Sequence, residues 1–64
     1  MLRLTRERLR RGLSQRQVAE RLNVGFWSYA KTETGAYIPG NDAPLARKLE
    51  KFYFYKLRTL LKED

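Results

Sequence analysis

The sequence predicts an all-α domain of four or five short helices packed around one core. Apolar residues recur at the three- and four-residue spacing of a helix through most of the chain. Glycines and capping residues divide this pattern into short segments. No stretch alternates apolar and polar residues strongly enough to predict a strand.

The first helix is predicted to begin after Thr5, which is a good N-cap, and to reach about Arg11. Leu4 precedes this cap and Leu9 lies in the helix at the spacing of a hydrophobic staple, so we expect the two leucines to pack together. Gly12 is expected to end the helix.

Residues 14–35 predict two short helices joined by a tight turn. Ser14 is a good N-cap, because its hydroxyl can accept a hydrogen bond from an unpaired backbone N–H. The apolar face of this helix is formed by Val18, Ala19 and Leu22. The stretch 23–25 breaks the pattern, and the next helix is predicted over about 26–33, before Gly35. Such a pair in a basic chain is typical of DNA-binding proteins.

The segment 35–42 is rich in turn formers and is predicted to be a loop, with Ile38 packed inward. Asn41 or Asp42 is expected to cap a fourth helix. Pro44 is tolerated in its first turn, because the N–H groups there are unpaired in any case. The buried stripe of this helix is predicted at Leu45, Ala46, Leu49 and Phe52.

The aromatic run 52–55 leaves the C-terminal connection open. No glycine follows the run, so the helix either continues over about 43–61 or ends at a turn that forms without glycine, at a cost of about 1 kcal/mol. Four consecutive aromatic side chains cannot all face one core. At least one is predicted to contact a second chain, the alternative being simple exposure to water. The candidate dimer-interface residues are Tyr53, Phe54, Tyr55 and Leu57.

Composition limits the classes of function. A chain of 64 residues predicts one domain over 1–64. It has no cysteine and no histidine, which removes disulfides, thiolate metal sites and the commonest general base. No apolar run approaches the ~20 residues of a membrane helix, so we expect a cytoplasmic protein. The acidic residues are dispersed, so we expect no enzyme, cofactor or metal site. Four are interpreted as solvated: Glu7, Glu20, Glu50 and Glu63.

The net charge of +7, from fourteen Lys and Arg against seven Asp and Glu, favours a polyanionic partner. The alternative is a bias toward solubility that implies no partner. The candidate phosphate ligands are Arg3, Arg6, Arg10, Arg11, Arg16 and Lys31.

Short motifs occur in order along the chain: Arg8-x-x-x-x-Leu13-Ser14-Gln15, Val18-Ala19-x-x-Leu22-x-Val24, Tyr29-x-Lys31-x-Glu33-x-Gly35 and Ile38-Pro39. In these motifs the sequence resembles the Cro/cI-type (XRE) helix-turn-helix family of phage and bacterial regulators. The resemblance implies a compact five-helix, lambda-repressor-like domain. It also implies that the third helix, about 26–33, lies in the DNA major groove.

The same resemblance assigns roles to individual positions. The positions that face base edges are Phe26, Trp27 and Lys31. The positions that meet the sugar-phosphate backbone are Ser14, Gln15, Ser28, Thr34 and Tyr37, and basic Arg16 lies beside them. Arg8 and Glu33 match a structural pair that ties the first helix to the third.

The third helix departs from the family pattern, because Phe26 and Trp27 occupy positions that are normally polar. Aromatic rings can touch thymine methyls or wedge at a base step, and Lys31 can reach guanine O6 and N7. Alternatively, Phe26 packs against the core one turn before Tyr29.

The predicted function is a double-stranded DNA-binding regulator, repressor-like, acting as a homodimer. Two alternatives remain open. One is a protein-interaction module on the same fold, resembling antitoxins or phage-encoded inhibitors, with the aromatic residues as anchors. The other is an engineered variant in which Phe26, Trp27 or the segment 54–56 was introduced to change packing.

Overall fold

Within the residues that the structure describes, the chain forms five helices and no strand longer than an isolated bridge. The computed structural model describes residues 1–40 and 42–63. The helices are α1 Arg3–Arg10, α2 Gln15–Leu22, α3 Phe26–Thr34, α4 Pro44–Tyr53 and α5 Leu57–Leu60. An antiparallel bridge between Leu2 and Glu63 joins the two ends of this range. The predicted all-α class and five-helix count are confirmed.

Helix α1 begins earlier than predicted, with Leu2 rather than Thr5 as its N-cap. The backbone N–H of Arg3 donates to the Lys62 carbonyl at 2.8 Å, so the C-terminal segment fixes this start. Leu4 is therefore inside the helix, where Leu9 lies about 140° around the axis from it. Leu4 is fully buried and Leu9 is 52% exposed, so the predicted hydrophobic staple is wrong.

Helix α2 begins at the predicted cap. The Ser14 hydroxyl accepts from the Gln17 backbone N–H at 3.0 Å, and the Gln17 side chain accepts from the Ser14 N–H at 2.8 Å. This reciprocal capping box satisfies two donors that the helix itself leaves unpaired. Asn23, at φ 57°, ends the helix in the left-handed conformation that asparagine tolerates.

The loop between α3 and α4 differs from its prediction at both marked positions. Gly35 ends α3 as expected, with φ 80°. Ile38 is 68% exposed and the adjacent Pro39 is buried instead, so the inward position of Ile38 was wrongly predicted. The N-cap of α4 is Ala43 rather than Asp42, and Pro44 follows at its first position. The alternative cap, Asn41, lies outside the described residues.

Helices α4 and α5 are separate, so the single merged helix is wrong. Phe54 ends α4 in the left-handed conformation, with φ 62°. The Glu50 carboxylate accepts from the Leu57 backbone N–H at 2.7 Å, where α5 begins. A side chain on α4 thus caps α5, and this contact offsets the strain that a glycine would have avoided.

The core gathers side chains from all five helices. Its largest members are Tyr29 and Tyr53, whose hydroxyl oxygens lie 2.7 Å apart in a buried hydrogen bond. Leu57 is also in the core, at 3% exposure. Tyr53 and Leu57 are therefore packed in the core of a single chain. This corrects their assignment to an interface between chains. Tyr55 is half-buried with the Arg3 guanidinium 5.1 Å above its ring, whereas Phe54 is 85% exposed.

Replacing Phe54 with glycine is expected to stabilise the monomer by about 1 kcal/mol, because it relieves the left-handed backbone strain. Little packing is lost, since the ring is exposed. Chemical denaturation measures the change, at a concentration where light scattering reports a monomer. Phe54→Ala is the matched control, because it removes the ring and keeps the strain. Equal stability of the two variants would contradict the prediction.

Candidate nucleic-acid interface

A buried carboxylate holds the first three helices in a fixed arrangement. Glu33, on α3, accepts from Arg8 Nε at 2.7 Å and from Arg8 Nη2 at 3.1 Å. It also accepts from the Thr5 hydroxyl at 3.1 Å and from the Gln15 amide at 3.0 Å. Arg8 Nη1 donates in addition to the Leu13 carbonyl at 2.8 Å. The Glu33 cluster, meaning Glu33 with Thr5, Arg8 and Gln15, therefore fixes α3 relative to α1 and α2.

The cluster stays charged despite its burial. Burial by itself raises the pKa of Glu33, but hydrogen bonds, led by that from Arg8, outweigh it and hold the pKa below its usual value. The hydrogen bond to Glu33 likewise raises the pKa of Arg8. Burial raises the pKa of Tyr29 and of Tyr53 above 10.0, so the tyrosine pair stays neutral. The groups that hold α3 in position therefore keep the same charge near neutral pH.

The three predicted base-facing residues of α3 lie in different environments. Trp27 is 72% exposed and Lys31, one helical turn later, is also exposed. Phe26 is half-buried, with the Arg16 guanidinium 4.9 Å above its ring and the Trp27 ring edge-on at 5.2 Å. Trp27 and Lys31 are presented to solvent, whereas Phe26 is held between its neighbours and supports both Arg16 and Trp27.

A groove of about 390 Å³ runs beside the exposed face of α3. Its wall includes the apolar groups of Val24, Trp27, Tyr37 and Leu45 and the polar groups of Ser28 and Lys31. We call this the α3 groove. It brings together a predicted base-facing pair, Trp27 and Lys31, and two predicted backbone positions, Ser28 and Tyr37.

The other predicted backbone-contacting residues have partners within the chain. The Ser14 hydroxyl is used in the capping box, and the Gln15 amide donates to Glu33. The Thr34 hydroxyl donates to the Lys31 carbonyl at 3.0 Å. Arg16 extends over Phe26 from the first turn of α2. These contacts orient the side chains at the N-terminus of α2 and at the C-terminus of α3.

A second buried glutamate was missed by the sequence interpretation. Glu7 is 3% exposed rather than solvated, and its carboxylate lies 3.4 Å from Arg3, 3.4 Å from Arg10 and 3.1 Å from Arg11. These arginines stand three or four positions from Glu7, the spacing of one helix face, which was the available signal. The Arg11 guanidinium also lies 5.0 Å above the Tyr53 ring. Glu7 therefore partly neutralises the charges of three predicted phosphate ligands, Arg3, Arg10 and Arg11.

Comparison with known families identifies the arrangement. A helix-turn-helix family profile of the Cro/C1 type matches residues 4–60, which includes every helix but the first residue of α1. The chain belongs to the Cro/C1-type (XRE) helix-turn-helix family. This is a family of DNA-binding regulators. No curated protein and no solved structure matched the chain.

Two other features, a metal-binding cluster and a membrane span, are absent from the described part of this helix-turn-helix domain. Across residues 1–40 and 42–63, no cluster of three or more acidic side chains could hold a metal ion. None of the described helices is both long and apolar enough to span a membrane.

Replacing Glu33 with glutamine is expected to destabilise this helix-turn-helix domain by about 3 kcal/mol at pH 7, because Arg8 is left without its anionic partner. The depressed pKa of Glu33 means that its contribution is complete above pH 4.5 and is lost as the pH falls through the lower folded value. Chemical denaturation of the parent and of Glu33→Gln from pH 7 to pH 2 should therefore show a difference in the free energy of unfolding that disappears in acid.

Glu20→Gln is the matched control for this experiment, because it removes the same charge from an exposed position on α2. Its stability should differ little from that of the parent at any pH. The contrary outcome is a free energy of unfolding of Glu33→Gln that differs from that of the parent by a constant amount down to pH 2, or by as little as that of the control. Either result would show that the carboxylate does not stabilise the domain.

Proposed function

We propose that this domain is a sequence-specific, double-stranded DNA-binding regulator of the repressor type, with α3 in the major groove. The observation that supports this most directly is the pairing of an exposed Trp27 and Lys31 on a helix whose position is fixed by the Glu33 cluster. A recognition helix must present side chains to base edges without moving relative to the backbone-contacting elements.

The charge of the chain supports the same function. Lysine and arginine exceed the acids by seven, and exposed Arg16 and Lys31 lie at the start of α2 and on α3. Contacts of such cations with phosphates release counterions, so DNA affinity should fall steeply as salt rises. The N–H groups at the start of α2 can also point toward a phosphate. A DNA-binding role implies the cytoplasm as the site of action.

A homodimer is the second part of the proposal. Two copies related by a two-fold axis would place their α3 helices in successive major grooves, about 34 Å apart. Phe54 is the candidate contact, because it is the most exposed large apolar side chain among the described residues and belongs to an aromatic run in which Phe52 and Tyr55 are half-buried. The surface of a monomer rarely concentrates such aromatic groups without a partner.

Lys31→Met is expected to weaken DNA binding by about tenfold, because it removes a donor at the base-facing surface. Trp27, the only tryptophan, reports the binding by its emission. The titration uses mixed-sequence and selected duplexes at several salt concentrations. Lys62→Met removes the same charge from an exposed position after α5 and is the matched control.

Two results would contradict DNA reading by α3. One is an equal loss of affinity in the two lysine variants, which would indicate a purely global effect of charge. The other is unchanged Trp27 emission even at low salt, which would indicate that the aromatic surface contacts a protein, as in an antitoxin-like module.

Phe54→Asn is expected to raise the dissociation constant of the homodimer by at least about tenfold, since a central aromatic anchor is removed. Asparagine tolerates the left-handed backbone at this position, so the fold is retained. Light scattering across a dilution series measures the change. Trp27→Asn, which removes another exposed aromatic ring, should leave the dimer intact. A parent chain that stays monomeric at every concentration and on DNA would contradict the dimer.

A further inference from the structure

The α3 groove offers an unusual combination of recognition groups. The sequence of α3, from Phe26 to Thr34, contains no asparagine, glutamine or arginine. It therefore lacks the side chains that make bidentate hydrogen bonds to adenine, and Lys31 is the side chain of α3 that can bind guanine O6 and N7. What the groove presents instead is apolar surface from Val24, Trp27 and Tyr37 and the ammonium of Lys31.

The polar groups of the groove are mainly donors. The Trp27 indole N–H and the Lys31 ammonium donate and cannot accept, whereas the hydroxyls of Ser28 and Tyr37 can do either. The major-groove edge of a base pair offers acceptors at guanine O6 and N7, at thymine O4 and at adenine N7, whereas adenine N6 and cytosine N4 are donors. Only thymine adds an apolar group there, its C5-methyl. The groove therefore matches thymine with a neighbouring guanine better than it matches cytosine or adenine.

The ring that would contact the methyl group is held in place. Phe26 contacts Trp27 edge-on, with an interplanar angle of 74°, and is itself covered by the Arg16 guanidinium. Trp27 lies on the groove side of α3, together with Val24 and Tyr37. A ring supported in this way is suited to a surface contact, because a wedge between base pairs must leave its neighbours and enter the stack.

We propose that the α3 groove reads the C5-methyl group of thymine through Trp27, while Lys31 reads an adjacent guanine. Trp27 is then the residue that determines the base preference, and Phe26 is a positioning residue that holds it. This inference rests on the proposed function, since it requires that α3 enter the major groove. Its distinguishing consequence is that binding responds to a single methyl group on the DNA.

The test compares duplexes that contain thymine with identical duplexes that contain deoxyuridine, which lacks only that methyl. Binding sites are first recovered by selection from a random duplex pool. Deoxyuridine then replaces the thymines of these sites one at a time. Loss of one buried methyl contact is expected to weaken binding by the parent about fourfold at the critical position. Trp27→Ala should bind more weakly and should no longer distinguish the two bases. The exposure of Trp27 allows this variant to fold, which circular dichroism checks.

Lys31→Met is the second variant, and it separates methyl reading from general affinity. It should bind more weakly yet keep the fourfold preference for thymine. Salt-dependent binding by the parent that is indifferent to deoxyuridine at every position would overturn the thymine inference and leave the DNA-binding function standing. A preference that survives in Trp27→Ala would also overturn it. Absence of any salt-dependent binding would overturn both proposals.

Discussion

The contact between Glu33 and Arg8 is the constraint on which the rest of the molecule depends. Helices of eight or nine residues bury too little surface to fix their own relative positions. A carboxylate that accepts from α1 and α2 while lying on α3 sets those positions by directional hydrogen bonds. Because its donors satisfy the charge, burial of Glu33 does not force protonation. The ion pair thus fixes the geometry of three helices, and its loss would leave Arg8 without an anionic partner.

This geometry explains how a small domain can keep a large aromatic ring in water. Exposure of Trp27 forgoes the free energy that its burial would give, about 25 cal/mol for each Å². The core, in turn, buries two other large aromatic rings, and these belong to tyrosines, which a strictly apolar interior would omit. Tyr29 and Tyr53 fill volume with their rings and share one buried hydrogen bond between their hydroxyls, which joins α3 to α4. The exposed face of α3 is therefore available for recognition while its opposite face is firmly packed.

The junction of α4 and α5 shows a similar balance at the other end of the chain. Phe54 adopts a backbone conformation that disfavours side chains, yet the turn is stable because Glu50 caps α5 and Leu57 and Leu60 enter the core. Tyr53, the last residue of α4, packs inside, whereas the Phe54 ring lies outside.

The sequence by itself determined the features that depend on neighbours in the chain. These include the Ser14 capping box, the end of α3 at Gly35, and the buried stripe at Val18, Ala19 and Leu22. For the candidate site, it also located α3, predicted over about 26–33, to within one residue. Each follows from helical periodicity or from a hydrogen bond spanning a few residues, which a single segment specifies.

Only the tertiary structure decided the features that depend on how one helix is rotated against another. Glu7 is buried and Leu9 exposed because the C-terminal segment starts α1 at Arg3. Phe26 is withdrawn from the recognition surface because Arg16, on α2, covers its ring. Leu57 enters the core because Glu50 caps α5 and separates it from α4. Periodicity gives the spacing of residues along a helix, but the contacts between helices determine which face becomes the inside.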